Sequence, residues 1–391
     1  MRPNAEFDVI VYGATGYTGR LVAEYLHQTY GNGSDVNWAM AARSEDKLTA
    51  VRDEMGLPGD TPLVVANSDD PASLKAMAER AKCIITTVGP YALYGTPVIA
   101  ACAEAGTDYV DLCGEPLWMV ETIKDFSATA KESGARLVHS CGFDSIPTDL
   151  GVWYLQQEAT KQHGGPAPRV RGRVRSMNGT FSGGTAASLK ETIANVFKDP
   201  SLKDVLLNPF ALCEGTSGPK QPRDHKPYED EVIGMWVAPF IMATINTKNL
   251  HRSNKLLGYP YGKDLEYDEM VVTGAGEKGQ SAAEYVAKTG MGKDADKQPG
   301  EGPTKEEREA GSFDIMFLGT YPDGKAVKVG VTGDMDPGYG CTSKMLAESA
   351  LCLVKDRSDL GGGVYTPASA MAAPLRERLT AKAGMTIDVE M

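Results

Sequence analysis

Phe7-Asp-Val-Ile-Val-Tyr-Gly-Ala-Thr-Gly-Tyr-Thr-Gly19 is a short apolar run that breaks into three glycines at three-residue spacing. Leu21, Val22, Tyr25 and Leu26 follow at helical spacing, so the stretch reads as strand, phosphate loop and helix. Val9, Ile10 and Val11 suit a strand buried on both faces. In this reading Gly13 turns where a side chain would clash, Gly16 lets backbone N–H groups approach a pyrophosphate, and Gly19 brings the helix close to the strand. Thr15, Tyr17 and Thr18 stand between those glycines and are counted with them as cofactor-binding positions. A ligand-free turn would use the same glycines, but the flanking strand and helix are the context that a dinucleotide motif demands.

The spacing is G-x-x-G-x-x-G, whereas the common NAD fingerprint is G-x-G-x-x-G. The next strand, Val36 to Arg43, should end beside the adenosine ribose, where NAD enzymes place an acid for the 2′-hydroxyl. Here the strand ends in Arg43. Ser44 reads as a helix N-cap, with Glu45 and Asp46 in the first turn where the helix dipole favours them. Arg43 with Lys47 is then free for a 2′-phosphate, which selects NADP(H); the alternative is a surface arginine at a strand end.

At 391 residues and 42% hydrophobic composition the chain can hold two ordinary globular domains. The balance of 40 Lys+Arg against 52 Asp+Glu gives −12 and argues against nucleic acid as a main partner. Seven cysteines without C-x-x-C or Cys/His metal spacing point to reduced thiols in a cytoplasmic protein and to no metal site. The first strand begins almost at once, leaving no room for a signal peptide, and the longest apolar run, Val232 to Ile245, is broken by Gly234 and Pro239 and is too short to span a bilayer. Self-association into a homo-oligomer is left open.

Strand and helix keep alternating after Arg43, the pattern of a parallel sheet covered on both faces. Leu63–Ala66 is a third strand, ending at Asn67-Ser68-Asp69, which either flanks adenine or forms an Asx turn into the Pro71 helix. Cys83–Val88 is a fourth, followed by Gly89-Pro90-Tyr91 and a helix from about Thr96 to Gly106. Val88, Gly89, Pro90 and Tyr91 belong at the carboxyl edge of the sheet, beside the cofactor. Tyr109–Leu112 and Arg136–His139 complete the series, ending in Cys113-Gly114-Glu115 and in Ser140 to Pro147.

Four of these stretches, in this order, resemble the saccharopine dehydrogenase-like oxidoreductases: Gly13 to Arg20, Val88 to Tyr91 with Tyr94-Gly95, Tyr109 to Glu115, and Cys141 to Pro147. Arg252-Ser-Asn254 with Leu256-Leu-Gly258, Asp336-Pro-Gly-Tyr-Gly340 and Gly361 to Ala368 are similar to the subgroup of trans-acting enoyl reductases. Cys113 stands where that family commonly has threonine. The resemblance runs over nearly the whole chain and implies a doubly wound Rossmann-type α/β domain with an inserted α+β domain. It also implies that the last segment packs back on the nucleotide domain. Residues 1–150, completed by 335–391, form the NADP-binding domain in this reading, and residues 151–334 the substrate domain.

In the second half, Pro168 to Arg175 alternates strictly, placing Arg169, Arg171, Arg173 and Arg175 on one strand face. That face is either solvated or a landing surface for an anionic substrate or carrier. Ser182-Gly-Gly-Thr185 leads into a helix whose start could hold an anion or merely be capped. Residues 214–231 and 300–311 read as charged loops. Met235, Trp236, Phe240, Ile241 and Met242 are either core, a cleft wall for an acyl chain or a surface touching lipid. Residues 313–320 and 325–332 flank Tyr321-Pro-Asp-Gly324, a hairpin signal.

The expected activity is NADPH-dependent reduction of a carbon–carbon double bond in an enoyl chain, small or carrier-bound, of polyketide or lipid type. Saccharopine-type carbon–nitrogen chemistry is one alternative, and a lipid-associated NADP-binding protein without turnover is another. No catalytic array stands out. Tyr91 is the leading proton-donor candidate and could equally pack against the nicotinamide; Asp144 and Ser145 are further candidates that could merely cap the next helix.

Overall fold

The computed structural model describes residues 5–31, 33, 35–179, 198–222, 225–289 and 302–391. The Ser182-to-Thr185 stretch lies outside these residues. Strand and helix alternate through the first half: β1 (Phe7–Tyr12), α1 (Tyr17–Tyr30), β2 (Trp38–Ala42), α2 (Glu45–Glu54), β3 (Leu63–Val65) and α3 (Pro71–Arg80). They continue with β4 (Ala81–Thr86), α4 (Tyr91–Ala105), β5 (Asp108–Val110), α5 (Pro116–Ser133), β6 (Arg136–Val138) and α6 (Ile146–His163). The six strands are parallel in the order β6-β5-β4-β1-β2-β3, and their runs are mostly apolar and buried because helices cover both faces. Strand order reverses at β1, so the crevice outside the carboxyl ends of β1 and β4 is where such a sheet binds ligands.

The second half builds another sheet from β7 (Arg169–Asn178), α7 (Leu202–Leu207), β8 (Tyr228–Asp230), β9 (Met235–Pro239), α8 (Ala243–Leu256), β10 (Glu266–Gly274) and α9 (Gly276–Thr289). It goes on through α10 (Lys305–Glu309), β11 (Ser312–Thr320) and β12 (Ala326–Gly333). β11 and β12 pair antiparallel around Tyr321–Gly324, with Gly324 in the left-handed region at φ 86°, as the turn residues require. A π-turn at Pro337–Cys341 then enters α11 (Thr342–Asp356), β13 (Gly363–Tyr365), α12 (Pro367–Ala370), α13 (Ala372–Lys382) and β14 (Met385–Val389). The last stretch divides between the sheets: β13 pairs with β6 in the first, and β14 with β12 in the second. Glu348 of α11 ties this return to α1 and α13, accepting from Tyr25 (2.7 Å) and Tyr30 (2.6 Å) and pairing with Arg378 (3.0 Å). No helix among the described residues is long and apolar enough to cross a membrane.

The arginine face of β7 is largely paired with carboxylates, and its exposure runs from the buried Arg173 to the exposed Arg175. Arg169 pairs with Asp268, Arg173 with Asp230 (2.7 Å) and Asp268 (2.9 Å), and Arg175 with Asp314 and Glu390 (2.5 Å each). Arg171 reaches Thr320 Oγ1 at 3.1 Å and Asp230 at 4.0 Å. The carboxylates come from β8, β10, β11 and the C-terminus, so alternation within β7 alone could not reveal them. Burial would raise the Asp268 carboxyl, but the Arg173 and Arg169 guanidiniums outweigh it and hold it below its ordinary value. The apolar cluster divides too: Phe240 is buried, Trp236 and Met242 are half-buried, and Met235 and Ile241 are exposed.

Arg173 is fully buried, so Arg173→Met takes from Asp230 and Asp268 the one buried cation they share and should cost about 3–5 kcal/mol. Arg175→Gln, at a partly exposed pair, should cost no more than about 1 kcal/mol. Urea unfolding of both variants checks this, and equal losses would contradict the assignment of the network's core to Arg173.

Candidate active site

Gly13 has φ +92°, and a Cβ there would lie 2.7 Å from Thr87 Oγ1 and 2.8 Å from Val88 Cγ2. A Cβ on Gly19 would collide with the Gly13 carbonyl, whereas one on Gly16 would meet only that carbonyl, at 3.3 Å. Gly13 and Gly19 are therefore required by the turn and the helix–strand approach. Gly16 is exposed, and its missing side chain leaves room for something outside the protein. No side chain caps the α1 N-terminus and no acid stands in its first turn, so its N–H groups are available to an anion. Thr15, Tyr17 and Thr18 are half-buried around this opening. Tyr17 is also held from the second half of the chain: its hydroxyl donates to the Pro303 carbonyl and accepts from Arg308 (2.9 Å), and its ring meets Tyr339 edge-on at 5.2 Å.

At the adenosine end Arg43 and Lys47 are exposed, and neither is drawn into an ion pair among the described residues. Ser44 is the N-cap of α2, accepting from the Lys47 N–H at 3.4 Å. Asn67 takes the Asx role, accepting from the Asp69 N–H at 3.3 Å, and Asp70 caps α3. An NADP(H) pyrophosphate and 2′-phosphate thus fit the open α1 N-terminus and the unpaired cations.

At the other end of the crevice, Val88 and Pro90 are half-buried and Gly89 is exposed. α4 starts at Tyr91, earlier than the apolar spacing from Thr96 implies. The buried Glu115 carboxylate accepts from the Tyr91 and Ala92 N–H groups at 2.9 Å each and supplies the missing cap from another turn. The Tyr91 hydroxyl donates to the Thr86 carbonyl (3.2 Å) and accepts from the Leu112 N–H (3.3 Å), and its ring stacks on Trp118 at 5.5 Å. Burial lifts this phenol well above its usual range, with Asp111 adding to the effect.

Asp144 is placed differently. Its carboxyl lies between the glycine turns after β5 and β6, where a Cβ on Gly114 would be 3.3 Å from Oδ1 and one on Gly142 3.0 Å from Oδ2. It is half-buried, and burial, with Asp111 nearby, pushes its pKa up to about 7. Ser145 occupies the N-cap position of α6 without a capping bond; its hydroxyl is sealed in and unpartnered. Neither residue is explained by helix capping.

One buried network has no local sequence signal. His139 Nδ1 meets Asp111 Oδ2 at 2.7 Å, its Nε2 meets Thr122 Oγ1 at 3.0 Å, and Tyr109 donates to Asp111 at 2.9 Å. Asp111 also accepts from the Cys113 (3.0 Å) and Ser140 (2.8 Å) N–H groups. The acid–imidazole–hydroxyl series resembles a nucleophilic triad, but all three side chains are buried, so it fixes the two strand ends without meeting substrate. Cys113 does a threonine's work here, its sulfur accepting from the Glu115 N–H at 3.3 Å.

Residues 9–138 match the saccharopine dehydrogenase NADP binding domain, and with the crevice above they define an NADP(H)-dependent oxidoreductase. The trans-acting enoyl reductase of Mycobacterium ulcerans (strain Agy99) is 36% identical over 406 residues, covering 96% of each chain. That of Mycobacterium tuberculosis (strain ATCC 25618 / H37Rv) is 35% identical over 403 residues, again 96% of each. The chain belongs to the trans-acting enoyl reductases, a subgroup of the saccharopine dehydrogenase-like oxidoreductases. Its fold is shared with apo saccharopine dehydrogenase (L-Glu forming) from Saccharomyces cerevisiae, at TM-score 0.57 and 12% identity over 98% of this chain and 99% of that one.

Gly16→Val should abolish NADPH binding while leaving the circular dichroism spectrum intact, because the new Cβ meets only the Gly13 carbonyl, at 3.3 Å, which a shift of a few tenths of an ångström relieves. Arg43→Asp should weaken NADPH by about 1.5–3 kcal/mol, on the order of tenfold to a hundredfold, with NADH hardly affected. Fluorescence titration with both cofactors measures this; equal loss for the two would remove Arg43 from 2′-phosphate recognition.

Proposed function

We propose that the chain reduces the carbon–carbon double bond of an enoyl thioester of polyketide or lipid type, presented in trans on a separate carrier. Two relatives named trans-acting enoyl reductase support the substrate class. The observation that carries the chemistry is Asp144, a carboxyl raised to about 7 at the open ends of β5 and β6. Residues 1–150 with the returning β13 form the cofactor half in this reading, and residues 151–334 with β14 the substrate half. The exposed Val232, Met235 and Ile241 are assigned to the acyl chain's approach.

Gly13, Gly16 and Gly19 with the α1 N-terminus hold the pyrophosphate, and Arg43 with Lys47 the 2′-phosphate. Bound NADPH supplies a hydride to the β-carbon of the enoyl group. The π electrons then rest on the α-carbon and the thioester oxygen as an enolate, which needs hydrogen-bond donors and a proton. We assign the proton to the Asp144 carboxyl, which delivers it to the α-carbon and is reprotonated from solvent. The backbone N–H groups of Gly89 and Gly142 are assigned to the oxygen, since those of Tyr91 and Ala92 are taken by Glu115 and that of Phe143 by Thr342. Tyr91, with its hydroxyl engaged on both sides, packs the crevice wall, and the sealed Ser145 stays outside the reaction.

An acid donor works in its protonated form, so turnover of a short enoyl thioester should fall as pH rises through about 7. Asp144→Asn should lose on the order of a hundredfold in kcat, along with that alkaline limb, and bind NADPH normally. Tyr91→Phe should keep its turnover. NADPH consumption followed across pH decides; an unaltered profile in Asp144→Asn removes the carboxyl from the chemistry, and no consumption with any enoyl thioester removes the substrate assignment.

A further inference from the structure

α8 is unusual for a helix rich in Asn, Lys, His and Arg, because almost every side chain from Ala243 to Asn254 is buried. At its C-terminal end His251 and Lys255 line a cavity of about 230 Å³, shared with Phe210, Tyr259, Lys263 and the Ser217 hydroxyl. None of these residues belongs to the dinucleotide crevice. His251 is 4% exposed, and its Nε2, sealed away from the cavity, has no hydrogen-bond partner among the described residues. Burial lowers the His251 pKa to about 4, leaving a neutral imidazole that can present one N–H.

The walls around it are fixed. The Phe210 ring lies 4.3 Å from the His251 ring, and any side chain on Gly218 would strike the Phe210 ring. Asn254 clamps the facing turn, accepting from the Tyr261 N–H (2.9 Å) and donating to the Gly262 carbonyl (2.7 Å). Tyr259 is held there at φ 66°, a conformation costly for an aromatic residue. The two cations on the rim are unpaired among the described residues: Lys255 Nζ donates only to the Glu214 carbonyl (2.5 Å), and Lys263 stands 5.3 Å above the Tyr259 ring. Glu214 and Asp264, the acids beside them in sequence, are exposed.

We propose that this cavity is a second ligand site, taking a small organic phosphate monoester with its phosphoryl group between Lys255 and Lys263 and its organic part against Phe210 and Tyr259. Two ammonium groups match a phosphoryl dianion better than a carboxylate, and an imidazole N–H and a hydroxyl suit its remaining oxygens. The aromatic walls favour an ester over the free ion.

Phenyl phosphate is the probe, titrated calorimetrically into the full chain with NADPH saturating so that the cofactor's own phosphate positions are filled. One site is expected, binding phenyl phosphate at least about tenfold more tightly than inorganic phosphate or phenol. Lys255→Gln/Lys263→Gln should weaken it about tenfold or more and leave NADPH affinity unchanged. The His251 imidazole signal, assigned with His251→Gln, should shift on saturation. Equal binding by the double lysine variant, a His251 signal that stays put, or no binding at millimolar phenyl phosphate would each overturn the proposal. Since the readout is binding, its failure is distinct from a failure of the enoyl reductase reading.

Discussion

A Cβ at residue 19 would stand inside the carbonyl of Gly13, and α1 can lie where it does only because that atom is missing. Close packing of the helix on the turn brings three strand ends together. The Gly13 and Ala14 N–H groups donate to Ala41 at the end of β2 (2.9 and 3.1 Å), and the Thr87 N–H donates to Tyr12 at the end of β1 (3.0 Å). The turn is thereby stitched to its neighbours on both sides, and the α1 N-terminus has one direction in which to point. Gly16 donates to the Gly13 carbonyl at 2.9 Å and accepts from the Arg20 N–H at 3.0 Å, and its exposed side is the face of the turn left open.

Two helices start at this crevice, and the chain treats them differently. The first N–H groups of α4 are answered from within by Glu115, which would repel a second anion at the same place. Those of α1 receive no side chain at all. In the proposed site, an incoming pyrophosphate would be directed to α1 by internal charge as much as by the glycines. Buried acids recur as fasteners elsewhere: Asp111 joins the ends of β5 and β6, Glu348 binds α1 to the returning chain, and Asp268 neutralises β7. Burial pushes the Asp144 carboxyl up to about 7, with no such cation beside it among the described residues.

Local pattern made the parallel sheet, the packing roles of Gly13 and Gly19, the Ser44 cap and the β11–β12 hairpin legible, because each depends on residues close in sequence. The early start of α4 was not legible, since its cap, Glu115, lies 24 residues beyond Tyr91. The arginines of β7 misled for the same reason: their partners sit on other strands. Asp111 and His139 are 28 residues apart, and nothing local marks either as half of a pair. The enclosure of α8 was not legible either, because its polar composition gives no sign that its side chains are buried. Local order was readable where the determining contact was local, and the charged contacts across the chain were not.

The phosphate loop is not the property of the first sheet alone. Gly302 packs so closely on Tyr17 that any side chain at 302 would overlap its ring, and the Arg308 guanidinium lies 5.9 Å from that ring while bonding its hydroxyl. The Arg308 carbonyl in turn accepts from the Asp336 N–H (2.9 Å), and Asp336 caps the π-turn through the Tyr339 (2.9 Å) and Gly340 (2.8 Å) N–H groups. Tyr339 closes the circuit against Tyr17. Burial raises the Tyr17 phenol, so it remains a neutral donor to Pro303. The residue beside Gly16 is thus fixed by the segment leading into β11 and by the turn leading out of β12. An anion settling on the α1 N-terminus would meet a loop whose geometry the second sheet has already set, which makes that sheet part of the proposed cofactor site and not an attachment to it.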